Sequence, residues 1–482
     1  MKRIMAVLLL ATMIFLFSPA CDDSSSSSDD DDDDNDDNNT ADDDNTADDD
    51  DTADDDTGDD DNDDNDTSDD DTTDDDTADD DTTPGVACYL DGDGDGFGDP
   101  DSEQFYPDEC PPDRIDNGDD CNDADADIYP GSPELAEDGI DQNCSGADLA
   151  PANDIGVFVA KTGNDDNPGT MAEPMLTIAA GVTLAASEGK VVFIARGSYS
   201  EVVETGVSLY GGYKETDWTR NINRYKTNIT YFDDTCFFAA GEVLAIEGIN
   251  FLCMPVFAVA VEFEPASLAR FHRNVILGGM DLSGARSIIA DNIIAAGPYH
   301  EAINANQTEP VLINNMILGE AGLSITDSTG VIANNTFIAT MGKGASSVSV
   351  SASASTIALL NNIFLDNSDW PVRSVSIYQP SEVTLLNNHF WGEDDYTLVG
   401  DETDVAVVNA CTWDSCAEAA DNQFAPPLLA VDSIHLLAGS PCIDTGLDPS
   451  PWYGGTEIGF DFEGDPRPLG DGWDIGMDEF MP

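Results

Sequence analysis

Seven short segments recur along the second half of the chain: Gly248-Ile-Asn250-Phe251, Arg273-Asn274-Val275-Ile276, Asp291-Asn292-Ile293-Ile294, Asn314-Asn315-Met316-Ile317, Asn334-Asn335-Thr336-Phe337, Asn361-Asn362-Ile363-Phe364 and Asn387-Asn388-His389-Phe390. The Asn before each apolar run falls at 250, 274, 292, 315, 335, 362 and 388, with steps of 18 to 27 residues and a mean of 23. A variable period in the low twenties, each unit a short strand after Asn, is the mark of a solenoid. A leucine-rich repeat would carry a fixed Leu skeleton, and none is present. The pattern therefore predicts an all-β chain, a right-handed parallel β-helix with one coil per repeat and coils stacked ~4.8 Å apart. Asn tolerates left-handed backbone geometry and can hydrogen-bond its equivalents above and below, so these residues read as structural rungs. Between rungs, Val348-Ser-Val350-Ser-Ala352-Ser-Ala354-Ser alternates an apolar face with a Ser face, the latter a solvated surface that could also meet sugar hydroxyls.

Both ends of the solenoid, placed at residues 151–482, are recognisable. Val157-Phe-Val-Ala160, a loop GNDDNPGT, helical spacing from Ala179 to Ala186 and Val191-Val-Phe-Ile194 read as strand, loop, capping helix and strand, with Leu209-Tyr-Gly-Gly-Tyr213 opening the first full coil. This start resembles the pectate-lyase-like β-helix family whose N-terminal unit is catalogued as a domain of unknown function (DUF1565). The run Leu437-Ala-Gly-Ser-Pro-Cys-Ile-Asp-Thr-Gly446, Asp461-Phe-Glu-Gly-Asp-Pro-Arg467 and Trp473-Asp-Ile-Gly-Met-Asp-Glu479 resembles the ending common to such proteins. The resemblance implies fold and leaves activity open.

A polysaccharide lyase needs a Lys or Arg base over a calcium-bound uronate, and a glycoside hydrolase needs convergent carboxylates. From 248 to 400 the bases are Arg270, Arg273, Arg286, Lys343 and Arg373, and the acids include Asp281, Asp291, Asp327, Asp366 and Asp369. No lyase or hydrolase motif joins them, so no catalytic residue is assigned. His272, His300, His389 and His435 are too scattered for a metal triad, and Trp391, Trp413 and Trp452 read as packing. Cys236 with Cys253, and Cys411 with Cys416, are placed to bridge, leaving Cys442 as a buried small hydrophobe.

Residues 84–150 have a different character: four cysteines (Cys88, Cys110, Cys121, Cys144) and aspartates that are spaced rather than piled up. Asp91-Gly-Asp93-Gly-Asp95-Gly96-Phe97-Gly-Asp99 sets carboxylates at alternate positions, and calcium takes six to eight oxygens from such Gly-permitted turns. It is not an EF-hand: Ser102 stands where a bidentate Glu belongs, and no helix pattern flanks the loop. Asp120, Asp123, Asp125 and Asp127 follow, with Glu134 in Pro130-Gly131-Ser132-Pro133-Glu134, and then Asp138, Asp141 and Asn143. The pieces DGDGDGFGDPD, GDDCNDADADIYPGSPE and EDGIDQNCSGADL resemble the metal-binding motif of MopE-type bacterial surface proteins, with Leu135-Ala136 where some members carry a Cys. The family name implies copper in one member; the all-oxygen set here, with no His between 84 and 150, argues for calcium. So small and apolar-poor a module needs staples, so the metal is expected to be structural, with disulfides beside it. Cys88 with Cys110 and Cys121 with Cys144 is the favoured pairing of the three that four cysteines allow.

Upstream, residues 22–83 hold 35 Asp, no base and no large apolar side chain, in a loose TADDD refrain. Such a stretch, 21–83, reads as a disordered acidic tether reaching at most ~200 Å. Residues 1–20 read as an export signal: Lys2 and Arg3, an apolar core from Met5 to Phe17, then Ser18-Pro19-Ala20 before Cys21. The segment resembles a bacterial lipoprotein signal, which implies a lipid on Cys21 and retention at the outer membrane or cell surface; Ser18-x-Ala20 also suits ordinary signal peptidase, which would leave a secreted protein. The formal net charge of −83 excludes a basic patch for nucleic acid or anionic lipid, so membrane contact is expected through the lipid alone. The sequence therefore predicts a displayed, calcium-loaded β-helix that binds, with a polysaccharide or cell-surface glycan as partner. A polysaccharide lyase or glycoside hydrolase is the alternative.

Overall fold

The computed structural model describes residues 85–481 except 232–234, 242, 254–258, 265–267, 285, 298–299, 340–346, 367–371 and 393–395. The signal, Cys21, the tether, Lys343 and Asp369 lie outside the described residues.

From Gly156 onward the chain winds into a right-handed parallel β-helix of three sheets. Among the described residues the first sheet has nine strands, from Val203–Thr205 to Thr397–Val399; the second has eleven, from Gly156–Val159 to Cys416–Ala420; the third has ten, from Gly197–Tyr199 to Gln423–Phe424. Each coil gives one strand to each sheet, and every inter-coil pairing is parallel and nearly in register, as in Ile293↔Met316, Met316↔Thr336 and Thr336↔Ile363. The first full coil opens at Val191–Ala195, one coil earlier than the sequence reading placed it. Inside, like side chains stack on like: the rings of Phe337, Phe364 and Phe390 lie 5.1 and 5.0 Å apart and nearly parallel. The N-terminal end is closed by α1 (Ile178–Glu188), which buries Ile178, Val182 and Ala185. Thr177 accepts from Ala180 N–H at its start, and Gly189 ends it at φ 65°.

The Asn pairs divide their labour. The first residue of each segment, Gly248, Arg273, Asp291, Asn314, Asn334, Asn361 or Asn387, has φ between 53° and 71° and makes the turn from second to third sheet. The second residue builds the ladder: Asn292, Asn315, Asn335, Asn362 and Asn388 each present Oδ1 to the backbone N–H of the rung before, at 2.8–3.0 Å. The Nδ2 groups donate to carbonyls of the preceding coil, as Asn335 does to Leu312 at 2.9 Å. Two ends of this ladder differ from expectation. Ile249, not Asn250, sits at the first rung and donates to Asn274 Oδ1; Asn250 pairs one step along the strand with Val275. The run also continues to Asn422, 34 residues after Asn388, because the helical turn Val405–Asn409 is inserted in that coil. At another corner Thr308, Ser328, Ser355 and Ser381 form a second ladder, each hydroxyl from Ser328 on accepting from the backbone N–H one coil back.

The tail after Phe424 turns back and packs on the outer faces of two sheets. Ile434 and Met477 cover Val275, Ile293, Met316 and Ile338; Ile458 covers Ile288 and Ile313; and Leu447 covers Ala333, Leu360 and Leu386. Turn-forming Asn residues hold it: Asn314 Nδ2 donates to Phe460, Asn361 to Leu447 and Asn387 to Thr445, all at 2.7–2.8 Å. Buried Arg467 pairs with Glu479 at 2.8 Å within the tail.

Candidate metal centre

The acidic module is tied by Cys88–Cys110 and Cys121–Cys144 and has one small antiparallel sheet, in which Val86–Leu90 pairs with Gln104–Tyr106 and Arg114–Ile115. Directly after Leu90 the DGDGDG loop folds on itself through its own carboxylates. Asp91 Oδ1 accepts from Gly94 N–H at 2.8 Å, Asp93 Oδ1 from Asp95 N–H at 3.2 Å and Asp95 Oδ1 from Phe97 N–H at 2.8 Å. Gly94 and Gly96 make this possible, at φ 84° and 94°. The 120s loop is brought against it by Gly92 N–H, which donates to Asp123 Oδ1 at 2.7 Å, and by Asp120 N–H, which donates to Gly98 O at 3.2 Å. A Cβ on Gly92 would stand 2.6 Å from Asp123 Oδ2, so the two loops close only around glycine.

Five carboxylates converge. Oxygens of Asp91, Asp93 and Asp95 lie within 4.8 Å of one another, and so do oxygens of Asp93, Asp120 and Asp123, making Asp93 common to both groups. In Asp93, Asp95 and Asp120, Oδ1 is committed to a backbone N–H while Oδ2 is buried with no partner. Burial, with the charges of Asp93, Asp120 and Asp91 added, pushes Asp95 up to about 7, and burial raises Asp93 and Asp120 as well. Orphaned carboxylate oxygens at such spacing suit a hard divalent cation with metal–oxygen distances of ~2.3–2.6 Å. The sulfurs of Cys121 and Cys144, though close to Asp120, are spent in their disulfide, so no soft donor is offered here.

The other sequence candidates lie outside these two carboxylate groups and make hydrogen bonds of their own. Asp99 caps a short turn by accepting from Asp101 N–H at 2.8 Å, and Asp125 accepts from Asp127 N–H at 3.2 Å. Glu134 accepts from Asn143 N–H, Asp138 from Ile140 N–H and Gln142 Nε2, Asp141 from Ser145 and Gly146 N–H, and Asn143 Oδ1 from Ser145 N–H. That stretch is an acceptor-rich loop closed by Asp148, which takes Glu137 and Gly139 N–H and was not singled out from sequence. Glu134 keeps one buried oxygen without a partner and is pushed up to about 7 by burial, with Asp141 and Asp138 adding to it.

Asp127 faces the β-helix. Its Oδ1 lies 3.8 Å from Arg270 of the second sheet, a fully buried side chain, and its Oδ2 accepts from Tyr453 OH of the C-terminal tail. Around it Tyr210 OH donates to Glu134 O at 2.6 Å, Arg220 donates to Ala136 O, and Ala136 N–H donates to Glu247 Oε2 at 3.1 Å. Glu247 is buried beside Arg220 at 3.0 Å, while His272 bonds Asp291 at 2.7 Å. Ala136 and Leu149 complete an apolar contact with Phe158, Phe193, Tyr210 and Tyr213. The module is thus seated on the outer face of the second sheet.

The metal-free cluster has a pH signature. Asp95 has a raised folded value, so between about 4 and about 7 the folded chain holds more protons than the unfolded one, and stability falls as pH rises. Thermal unfolding in chelator at pH 5 and pH 7.5 is expected to give the higher module midpoint at pH 5. A divalent cation should reverse the order; a pH-independent midpoint in chelator would count against a crowded carboxylate centre.

Fold and site together define a parallel β-helix protein carrying an acidic, disulfide-tied module of the metal-binding kind. Within that module residues 120–148 match the MopE-type metal-binding motif. The match takes in Asp120 and Asp123 and leaves out Asp91, Asp93 and Asp95, which the fold supplies from the preceding loop. No curated protein matches the chain. Among solved structures, the pectate lyase Pel9A is 12% identical, covering 68% of this chain and 96% of its own, with a TM-score of 0.35. A pectin methylesterase in complex with a hexasaccharide is also 12% identical, covering 68% and 100%, with a TM-score of 0.33. The GH136 lacto-N-biosidase from Eubacterium ramulus is 10% identical, covering 56% and 67%, with a TM-score of 0.23. The assignment of fold rests on the three parallel sheets themselves.

Proposed function

We propose that this is an exported, lipid-anchored cell-surface protein in which calcium, held by Asp91, Asp93, Asp95, Asp120 and Asp123, stabilises a module seated on a β-helix that binds carbohydrate. The signal-like start and Cys21, the acidic tether and four disulfides support export to an oxidising compartment. One observation carries the binding reading. Among the described residues the module lies on the second sheet and the C-terminal tail on the second and third, and neither covers the outer rows of the first sheet. Its register aligns Glu262, Asp281, Asn304, Ser324 and Ser351 in one row, which ends at the buried Ser376, and Asn306, Thr326, Ser353 and Tyr378 in the next. Hydroxyl and amide groups repeating every ~4.8 Å offer serial hydrogen bonds to a chain of sugars, and Tyr378, 57% exposed, offers a stacking face.

The test is to titrate the full-length mature protein, saturated with calcium, with acidic and neutral polysaccharides, following binding by calorimetry while monitoring reducing ends and unsaturated uronate. Binding without product, weakened at least about tenfold in Tyr378→Ala, is expected. Calcium-dependent product would replace this reading with the lyase or hydrolase alternative, and absence of binding to every polysaccharide would end the carbohydrate reading.

A further inference from the structure

Three turns of the C-terminal tail, far from the acidic module in sequence, bring His435, Glu463 and Asp478 together. One ligand atom of each lies within 4.8 Å of the other two. His435 Nε2 is 3.1 Å from Glu463 Oε2, and on its other side Nδ1 is 2.6 Å from Asp432 Oδ2. Two of the turns are set by an Asp side chain that accepts from main-chain N–H groups. Asp432 Oδ1 accepts from the N–H groups of Ile434 and His435 at 3.1 and 3.2 Å, and Asp461 Oδ1 accepts from those of Glu463 and Asp465 at 2.9 and 2.8 Å. Asp478 is 5% exposed, and its carboxylate receives one hydrogen bond, from Leu436 N–H at 2.9 Å. A carboxylate has about four acceptor positions, so Asp478 keeps lone pairs for a further partner.

A protonated imidazole by itself answers this arrangement poorly. It brings one positive charge, and its Nδ1–H already serves Asp432, while Glu463 and Asp478 meet the other side. Donation from Nδ1 to Asp432 leaves the Nε2 lone pair directed at the two remaining carboxylates, and a carboxylate behind a histidine is the arrangement that orients metal-bound imidazole. Bonds of ~2.1 Å in a tetrahedral site place neighbouring donor atoms about 3.4 Å apart, so the 3.1 Å between His435 Nε2 and Glu463 Oε2 needs only a small opening. The donor chemistry also differs from that of the acidic module, since imidazole nitrogen selects a transition metal over calcium.

We propose that His435 Nε2, Glu463 and Asp478 bind a divalent transition-metal ion of the zinc type, with Asp432 positioning the imidazole. The ion ties the turns at 432–436, 461–465 and 474–479 to one another, and with them Ile434 and Met477, which cover the third sheet. Three protein ligands leave the fourth position to water.

The test is calorimetric titration of the full-length, calcium-saturated protein with Zn2+, repeated with Co2+ and followed by visible absorption. One equivalent of Zn2+ should bind in excess calcium, be lost in His435→Gln and weaken about 10–100-fold in Asp432→Asn. Circular dichroism checks that each variant is folded; should His435→Gln not fold, Glu463→Gln, at a partly exposed side chain, serves in its place and should weaken zinc by at least about tenfold. No uptake of Zn2+ by the wild type, uptake unchanged in these variants, or uptake lost instead in Asp93→Asn would overturn the proposal.

Discussion

Asn335→Ala is expected to destabilise the chain by about 4 kcal/mol, while Asn334→Gly next to it costs under about 1 kcal/mol. Both residues are fully buried and chemically identical, so the difference lies in what each side chain joins. Asn335 Oδ1 accepts from Asn315 N–H and Nδ2, and its own Nδ2 donates to Leu312 O, Ala333 O and Asn362 Oδ1. Alanine leaves these groups in a dry interior, where each unsatisfied one costs about 1–3 kcal/mol, partly relieved by relaxation. Asn334 is required for its φ of 56°, which glycine adopts freely. Its Oδ1 accepts from Asn361 Nδ2, a group that also donates to Leu447 O and so stays satisfied. Urea unfolding of both variants checks the pair. Equal losses would show that the two positions are not specialised, and a loss below about 1 kcal/mol at Asn335 would remove the ladder as a stabilising device.

Chelation is expected to lower the unfolding midpoint of the acidic module more than any single surface substitution. Calcium at a hundredfold excess over Kd adds about 2.7 kcal/mol to the folded state by mass action. Removing it also returns five converging carboxylates to mutual repulsion. Asp93→Asn should reproduce most of this loss in calcium, because Asp93 belongs to both carboxylate groups. Asp141→Asn should not, because Asp141 serves Ser145 and Gly146 N–H within its own loop. Differential scanning calorimetry in calcium and in chelator separates these outcomes; identical thermograms in both would sink the calcium reading. The effect should extend past the module, since Asp127, at the end of the Asp120–Asp125 loop, meets both Arg270 and Tyr453.

The candidate site was legible as a region, and which of its acids meet one another came only with the fold. Alternating Asp and Gly in DGDGDG pointed correctly to carboxylates that converge, because local glycine turns decide that loop. Asp99, Asp127 and Asp141 carry the same side chain at similar spacing, yet one caps a turn, one meets an arginine and one closes a loop. A carboxylate has the same appearance in sequence whether its acceptor is a cation, an N–H or a guanidinium. The His435 cluster is hidden in the sequence for a related reason: no other histidine lies near His435, and the fold supplies carboxylates from 28 and 43 residues downstream.

The sequence by itself determined the solenoid. A repeat that stacks on its own copy writes each rung's chemistry into the same place in every period, so the Asn positions reported fold class and strand sites together, while the coils at either end lay beyond them. Tertiary structure decided what a local pattern cannot encode. It fixed which Asn turns the chain and which joins the coils, which outer faces the tail and module cover, and which acids meet across loops. Those outcomes depend on surfaces that come together only after the coils are stacked, when burial makes each unpaired polar group costly enough to select its partner.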